Sequence, residues 1–107
     1  MFKKLAGFQQ DMFDLPMPAR KVAALLLKDL VEGTFNGQAL EVRTSTADLS
    51  DCYKVYFDPD PRADKPRYRL VYQETTEGST GICIVGVAVG RREGLDAYFR
   101  ASRNLGR

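Results

Sequence analysis

The sequence predicts a single α+β domain: a helical hairpin packed on a small antiparallel β-meander, closed by a C-terminal helix. Three observations predict it. Apolar residues recur at helical spacing over the first third of the chain. The pattern then switches to alternation in two short segments and to a β-branched run in a third. The connections between those strands are short, which implies antiparallel neighbours, because parallel ones need a long crossover. A chain of 107 residues, 44% of them hydrophobic, fits one domain with a small core.

Phe2, Leu5, Phe8, Met12 and Phe13 mark the first helix, over about 2–14. Leu15-Pro16-Met17-Pro18 interrupts it, since proline cannot continue a helix interior. Pro18 suits the first turn of a second helix carrying Val22, Leu25, Leu26 and Leu30, with Gly33 as its stop. The run from Val22 to Leu27 is apolar nearly all round, which predicts heavy burial. Residues 34–51 read as a loop. From Cys52 to Asp58, Tyr53, Val55 and Phe57 alternate with Lys54 and Tyr56. From Arg67 to Glu74, Tyr68, Leu70 and Tyr72 alternate with Arg67, Arg69 and Val71. Asp58 to Pro66 and Thr75 to Gly81 read as turns, and Ile82 to Gly90 as a well-buried strand. An amphipathic helix near 94–104 carries Leu95, Tyr98 and Phe99, with Leu105 just beyond. With the hairpin on one sheet face, the other face is left polar, lined by Lys54, Tyr56 and Arg69 and bordered by Gly90-Arg91-Arg92.

Composition narrows the chemistry. No run approaches the ~20 apolar residues of a membrane span, and Met1-Phe2-Lys3-Lys4-Leu5 lacks a signal-peptide core. A cytoplasmic location is the default expectation. Cys52 and Cys83 read as small buried apolar side chains rather than a disulfide or zinc site. The absence of histidine excludes Ser-His and Cys-His nucleophile arrangements. The net charge is only +2 but uneven: residues 54–107 hold ten Lys/Arg against seven Asp/Glu, residues 1–53 six against seven. An anion-binding surface therefore belongs to the second half.

Lysine, tyrosine and arginine on one face suit a phosphodiester. Arginine binds phosphate oxygens through paired hydrogen bonds. Tyrosine stacks on a base or exchanges its hydroxyl proton, and lysine flanked by arginines is pushed towards its neutral form. RNA brings its own nucleophile, so a protein that aligns the 2′-hydroxyl and stabilises the transition state needs neither metal nor histidine. The plainer reading stands beside this one: exposed strand cations are usually solvated surface, and Tyr98 at helical spacing is more often core.

Asp51-Cys52-Tyr53-Lys54-Val55, Tyr68-Arg69-Leu70-Val71-Tyr72-Gln73, Val89-Gly90-Arg91-Arg92-Glu93 and Tyr98 resemble, in order, the RelE branch of the RelE/ParE toxin superfamily. The resemblance implies a toxin of a type II toxin–antitoxin system, an endoribonuclease that cleaves mRNA on the ribosome. The 2′-hydroxyl attacks the adjacent phosphate and leaves a 2′,3′-cyclic phosphate, with no cofactor and no metal. The partners it implies are a cognate antitoxin, in a toxin–antitoxin hetero-oligomer, and the ribosome with its mRNA. By position, Lys54 corresponds to the candidate general base, Arg69 to a phosphate-stabilising arginine, and Arg92 to an arginine that contacts the phosphate and aids the leaving group. Tyr98 corresponds to the tyrosine that stacks on a base. Tyr56 stands where the family has a second lysine; by charge and position, Arg62, Lys65 or Arg67, in and just after the 58–66 turn, would compensate for it, and these three with Tyr56 and Arg91 are the expected RNA-binding residues. The family's opening β-strand is absent from this reading, which leaves a sheet edge for a partner chain. Two rivals are a ParE-like protein that inhibits DNA gyrase without nuclease chemistry, and a degenerate, non-catalytic relic. The nuclease reading requires Lys54, Arg69, Arg92 and Tyr98 to meet over one sheet surface, with the three charged groups open to solvent.

Overall fold

A computed structural model describes residues 2–41, 48–77 and 81–107. The elements are β1 (Phe2–Lys4), α1 (Ala6–Asp14), α2 (Met17–Glu32), β2 (Gln38–Ala39), β3 (Tyr53–Phe57), β4 (Tyr68–Glu77), β5 (Gly81–Arg91), a short 3-10 turn (Glu93–Leu95) and α3 (Asp96–Leu105). The sheet order is β1-β5-β4-β3-β2. The antiparallel meander of β3, β4 and β5 is as the alternation predicts.

Three of the expected element boundaries are corrected. The chain opens in a strand, not a helix: Phe2, Lys3 and Lys4 pair in parallel with Ile84, Val85 and Gly86. Phe2 to Phe8 therefore mimics helical spacing across a strand–helix junction, and the edge thought vacant is filled. The 34–51 loop contains β2, which pairs with Tyr53 and Lys54; its residues 42–47 lie outside the described ones. β4 runs on to Glu77, so the second turn is shorter than Thr75 to Gly81, and its residues 78–80 also lie outside the described ones.

α1 and α2 form the expected hairpin. Arg20 fastens it, donating to the carbonyls of Met12, Phe13 and Leu15 at 2.9, 2.8 and 3.1 Å. Those are carbonyls of the last turn of α1 and its C-cap, which lack the usual helical donor, although that of Met12 also accepts the Leu15 N–H at 3.2 Å. Gly33 ends α2 at φ 75°, a left-handed conformation that favours glycine. The Val22–Leu27 run is less buried than predicted: Ala23 and Leu27 face the sheet, while Leu25 is 64% exposed. One core joins Phe8, Leu27 and Leu30 to Val55, Leu70, Tyr72, Ile84 and Val89.

The other sheet face is not left polar. α3 crosses it, and Ala97, Tyr98 and Ala101 pack on Val71, Val87 and Ala88 in a second core. Alanines at the contact let the helix approach closely, and an amphipathic helix must bury its apolar stripe somewhere. A β-bulge lies in the β4–β5 ladder, where Val71 pairs Ala88 but Tyr72 pairs Gly86. The intervening Val87 offers its carbonyl to Asn104 Nδ2 at 2.8 Å.

Asp11, fully buried, joins α1 to α3. It accepts from Arg100 Nη1, Arg103 Nη2 and Asn104 Nδ2, each at 2.9 Å. Removing one partner from a buried charged network strands the others. Asp11→Ala is expected to destabilise the fold by about 2 kcal/mol, read as a lowered denaturant midpoint with unchanged slope; a midpoint equal to that of the parent would show that the network adds no net stability.

Cys52 and Cys83 are free and fully buried, as expected for small apolar side chains. Burial, with Asp51 alongside, pushes the Cys52 thiol up to about 12.

Candidate nucleic-acid interface

The α3 side of the sheet carries Lys54 and Tyr56 from β3, beside the helix, and Arg69 from β4, beneath it. Strand alternation fixes their side: Tyr56 pairs with Arg69, and Lys54 with Val71, whose side chain belongs to the α3 core. Tyr98 approaches from α3 and Arg92 from the turn after β5. Arg92 is held by its backbone N–H on the Arg67 carbonyl at 2.8 Å and by Nη1 on the Pro66 carbonyl at 3.3 Å.

These side chains converge on Tyr56. Lys54 Nζ lies 5.2 Å from the centre of its ring, Arg69 Cζ 5.0 Å and Arg92 Cζ 5.4 Å. Three cations around one aromatic ring each gain from its negative face while repelling one another. Burial alone would raise the Tyr56 hydroxyl's pKa, but the neighbouring Lys54 ammonium and the Arg69 charge outweigh it, and the net shift is downward.

The four sequence-predicted residues thus meet on one face. The second requirement fails at Arg69, which is 3% exposed. Its guanidinium lies between two rings, with Cζ 3.9 Å from the centre of Tyr98 and 5.0 Å from that of Tyr56. Its Nη2 makes a long 3.5 Å contact to the Tyr56 hydroxyl, and Nε and Nη1 have no hydrogen-bond partner among the described residues. The cause is α3: by covering the sheet it roofs the arginine. Tyr98 is fully buried beneath Arg69, so its ring is not open to stack on a base, and the plainer reading of Tyr98 as core holds. Lys54 and Arg92 are half-buried and reach solvent.

The outer cations divide. Arg67 is taken up by Asp58, with Nε–Oδ2 and Nη2–Oδ1 both 2.9 Å, and this pairing holds the Asp58 carboxyl well below the usual carboxylate range. Lys65, Arg67, Arg91 and Arg92 border an open groove of about 400 Å³ beside the cluster, with Pro66 and Glu93. Arg91 packs 5.9 Å from the ring centre of Tyr68, a residue of the hairpin-side core. Arg62 is exposed on the turn and does not line the groove. Sequence reading missed Asp11 and the enclosure of Arg69. Asp11 carried a signal, as a carboxylate three residues after Phe8 on the apolar stripe of α1.

Among the described residues no helix is long and apolar enough to cross a membrane. No family of known proteins matches the chain, and no curated protein matches it. Among solved structures, it is similar to E. coli toxin RelE, determined as a doubly substituted mutant in the free state. The identity is 20%, the TM-score 0.62, and the match covers 96% of this chain and 94% of that one. The match runs over nearly the whole of both chains, and the chain has the RelE-like fold.

Proposed function

We propose that this chain is the toxin of a toxin–antitoxin pair, acting in the cytoplasm as a metal-independent endoribonuclease on ribosome-bound mRNA. The observation that carries the reading is the gathering of Lys54, Arg69 and Arg92 around the exposed ring of Tyr56, with Tyr98 against the far side of Arg69, on a RelE-like fold. The reaction is attack of a 2′-hydroxyl on the adjacent phosphate, giving a 2′,3′-cyclic phosphate and a free 5′-hydroxyl. Such chemistry asks the protein mainly for alignment and for positive charge where the phosphorane develops. With Arg69 enclosed, the requirement of three solvent-open cations is not met, and the reading stands in a narrower form on Lys54 and Arg92, the two inner cations that reach solvent and so are available to the phosphate and the attacking hydroxyl. The groove bordered by Lys65, Arg67 and Arg91 extends the positive surface for the neighbouring backbone, with Arg62 further out. A cognate antitoxin silences the toxin by covering this face or by binding elsewhere on the fold.

Two observations favour a second reading. Arg69 is sealed between two rings and Tyr56 stands where the resemblance implies lysine, as in a ParE-like protein that keeps the fold, loses nuclease chemistry and binds DNA gyrase. The purified protein added to translating ribosomes separates the two. Cleavage of mRNA to 2′,3′-cyclic phosphate ends is the expected result. Intact mRNA together with inhibited gyrase supercoiling would overturn it, and no effect in either assay would leave a non-catalytic relic.

A further inference from the structure

We infer that Tyr56 is a catalytic residue of this site, its phenolic oxygen taking the proton of the attacking 2′-hydroxyl while the buried Arg69 supports it from behind. The inference rests on the nuclease reading above and names a role that the resemblance would give to a lysine.

A base must touch the 2′-hydroxyl, and of Tyr56, Arg69 and Tyr98 only Tyr56 is open, at 37% exposure against 3% and 0%. Among the described residues, the charged and titratable groups facing Tyr56 are Lys54 from its own strand, Arg69 from β4, Arg92 from the turn after β5 and, beyond Arg69, Tyr98 from α3. A phenolate in that setting is an anion among three cations, which is the form such surroundings favour. The fall in the Tyr56 pKa runs in the same direction.

The inference also gives the orphaned Arg69 a place. A buried guanidinium with two nitrogens unpartnered among the described residues is costly unless some state of the protein compensates it. Its Nη2 is 3.5 Å from the Tyr56 oxygen, a distance that shortens when that oxygen carries charge. Arg69 is then a positioning residue that never touches RNA, and Lys54 and Arg92 are left to bind the phosphate. In the step itself, the phenolate takes the 2′-hydroxyl proton and the 2′-oxygen forms its bond to phosphorus. The bond from phosphorus to the 5′-oxygen breaks, and that oxygen keeps the electron pair and takes a proton from water. Tyr56 returns its proton to water before the next turnover.

The test joins a spectroscopic titration to kinetics. The chain has five tyrosines. The ultraviolet difference spectrum of the wild type should show one of them ionising below the rest, and Tyr56→Phe, which keeps the ring between the cations, should lose that step alone. On ribosomes, Tyr56→Phe should cleave about 10²-fold more slowly with ribosome binding unchanged. The wild-type rate should climb with pH to a plateau through the same midpoint as the titration, since the base works deprotonated, and that limb should vanish in the variant. Wild-type cleavage by Tyr56→Phe while Arg92→Ala is defective overturns the role of Tyr56 and spares the nuclease reading. Slow cleavage without an early-ionising tyrosine makes Tyr56 structural and overturns its role as base. A wild type that ionises early but cuts nothing overturns both.

Discussion

Arg69→Met is expected to make the protein more stable and a poorer nuclease at once. Arg69 is 3% exposed with Nε and Nη1 unpartnered among the described residues. Its stacking on Tyr98 at 3.9 Å and Tyr56 at 5.0 Å returns part of the desolvation cost, but aromatic faces do not replace two hydrogen bonds. Methionine has an unbranched stem of similar reach, and its thioether tolerates contact with both rings. Stability should rise by about 1–2 kcal/mol, in the range seen when buried charge gives way to apolar packing. Cleavage should fall about 10²-fold, through loss of the charge beside Tyr56. Chemical denaturation and single-turnover cleavage on the same preparation check both halves. A stability loss would mean that the sandwiched guanidinium holds the two rings together. Unchanged cleavage would remove Arg69 from the chemistry.

Arg92→Ala is expected to cost about 10³-fold in cleavage, the loss typical of removing a preorganised donor to a developing oxyanion. The fold should hardly notice. The side chain contributes one 3.3 Å bond to the Pro66 carbonyl, while the tie that fixes the turn is its backbone N–H on the Arg67 carbonyl at 2.8 Å, which alanine keeps. Stability should change by less than about 1 kcal/mol. The outcome separates the proposed activities: a gyrase-binding protein would keep its effect on supercoiling in this variant, whereas a nuclease would lose its cut with its fold intact. Full cleavage by Arg92→Ala would place the chemistry away from Tyr56.

Much of this was legible in the residues. Alternation in Tyr53–Phe57 and Tyr68–Tyr72 is a local property of a pleated strand, so it assigned Lys54, Tyr56 and Arg69 to one side correctly. Proline pairing at 16 and 18 and the stop at Gly33 framed α2 for equally local reasons. The misreadings are non-local. β1 is three residues long and exists because Ile84–Gly86 lies beside it, some eighty positions away, and nothing in Phe2–Lys4 announces that partner. The depth of Arg69 depends on where α3 lands, and α3 lands there because Ala97 and Ala101 meet Ala88 and Val71. An alternating pattern tells which way a side chain points but not what will be laid over it.

The single unpaired valine in β5 has a consequence for the whole cluster. Upstream of it, even-numbered positions such as Ile84 and Gly86 look towards the hairpin; downstream, odd-numbered Val89 does, and Ala88 and Gly90 look towards α3. The extra residue inverts the parity of everything that follows, up to Arg92. A strand of strict two-residue rhythm would have delivered that guanidinium to the opposite side of the sheet, with β5 itself between it and Tyr56. The site owes its fifth member to one miscounted step in the ladder, and Asn104, by seizing the carbonyl of Val87, locks the miscount in place.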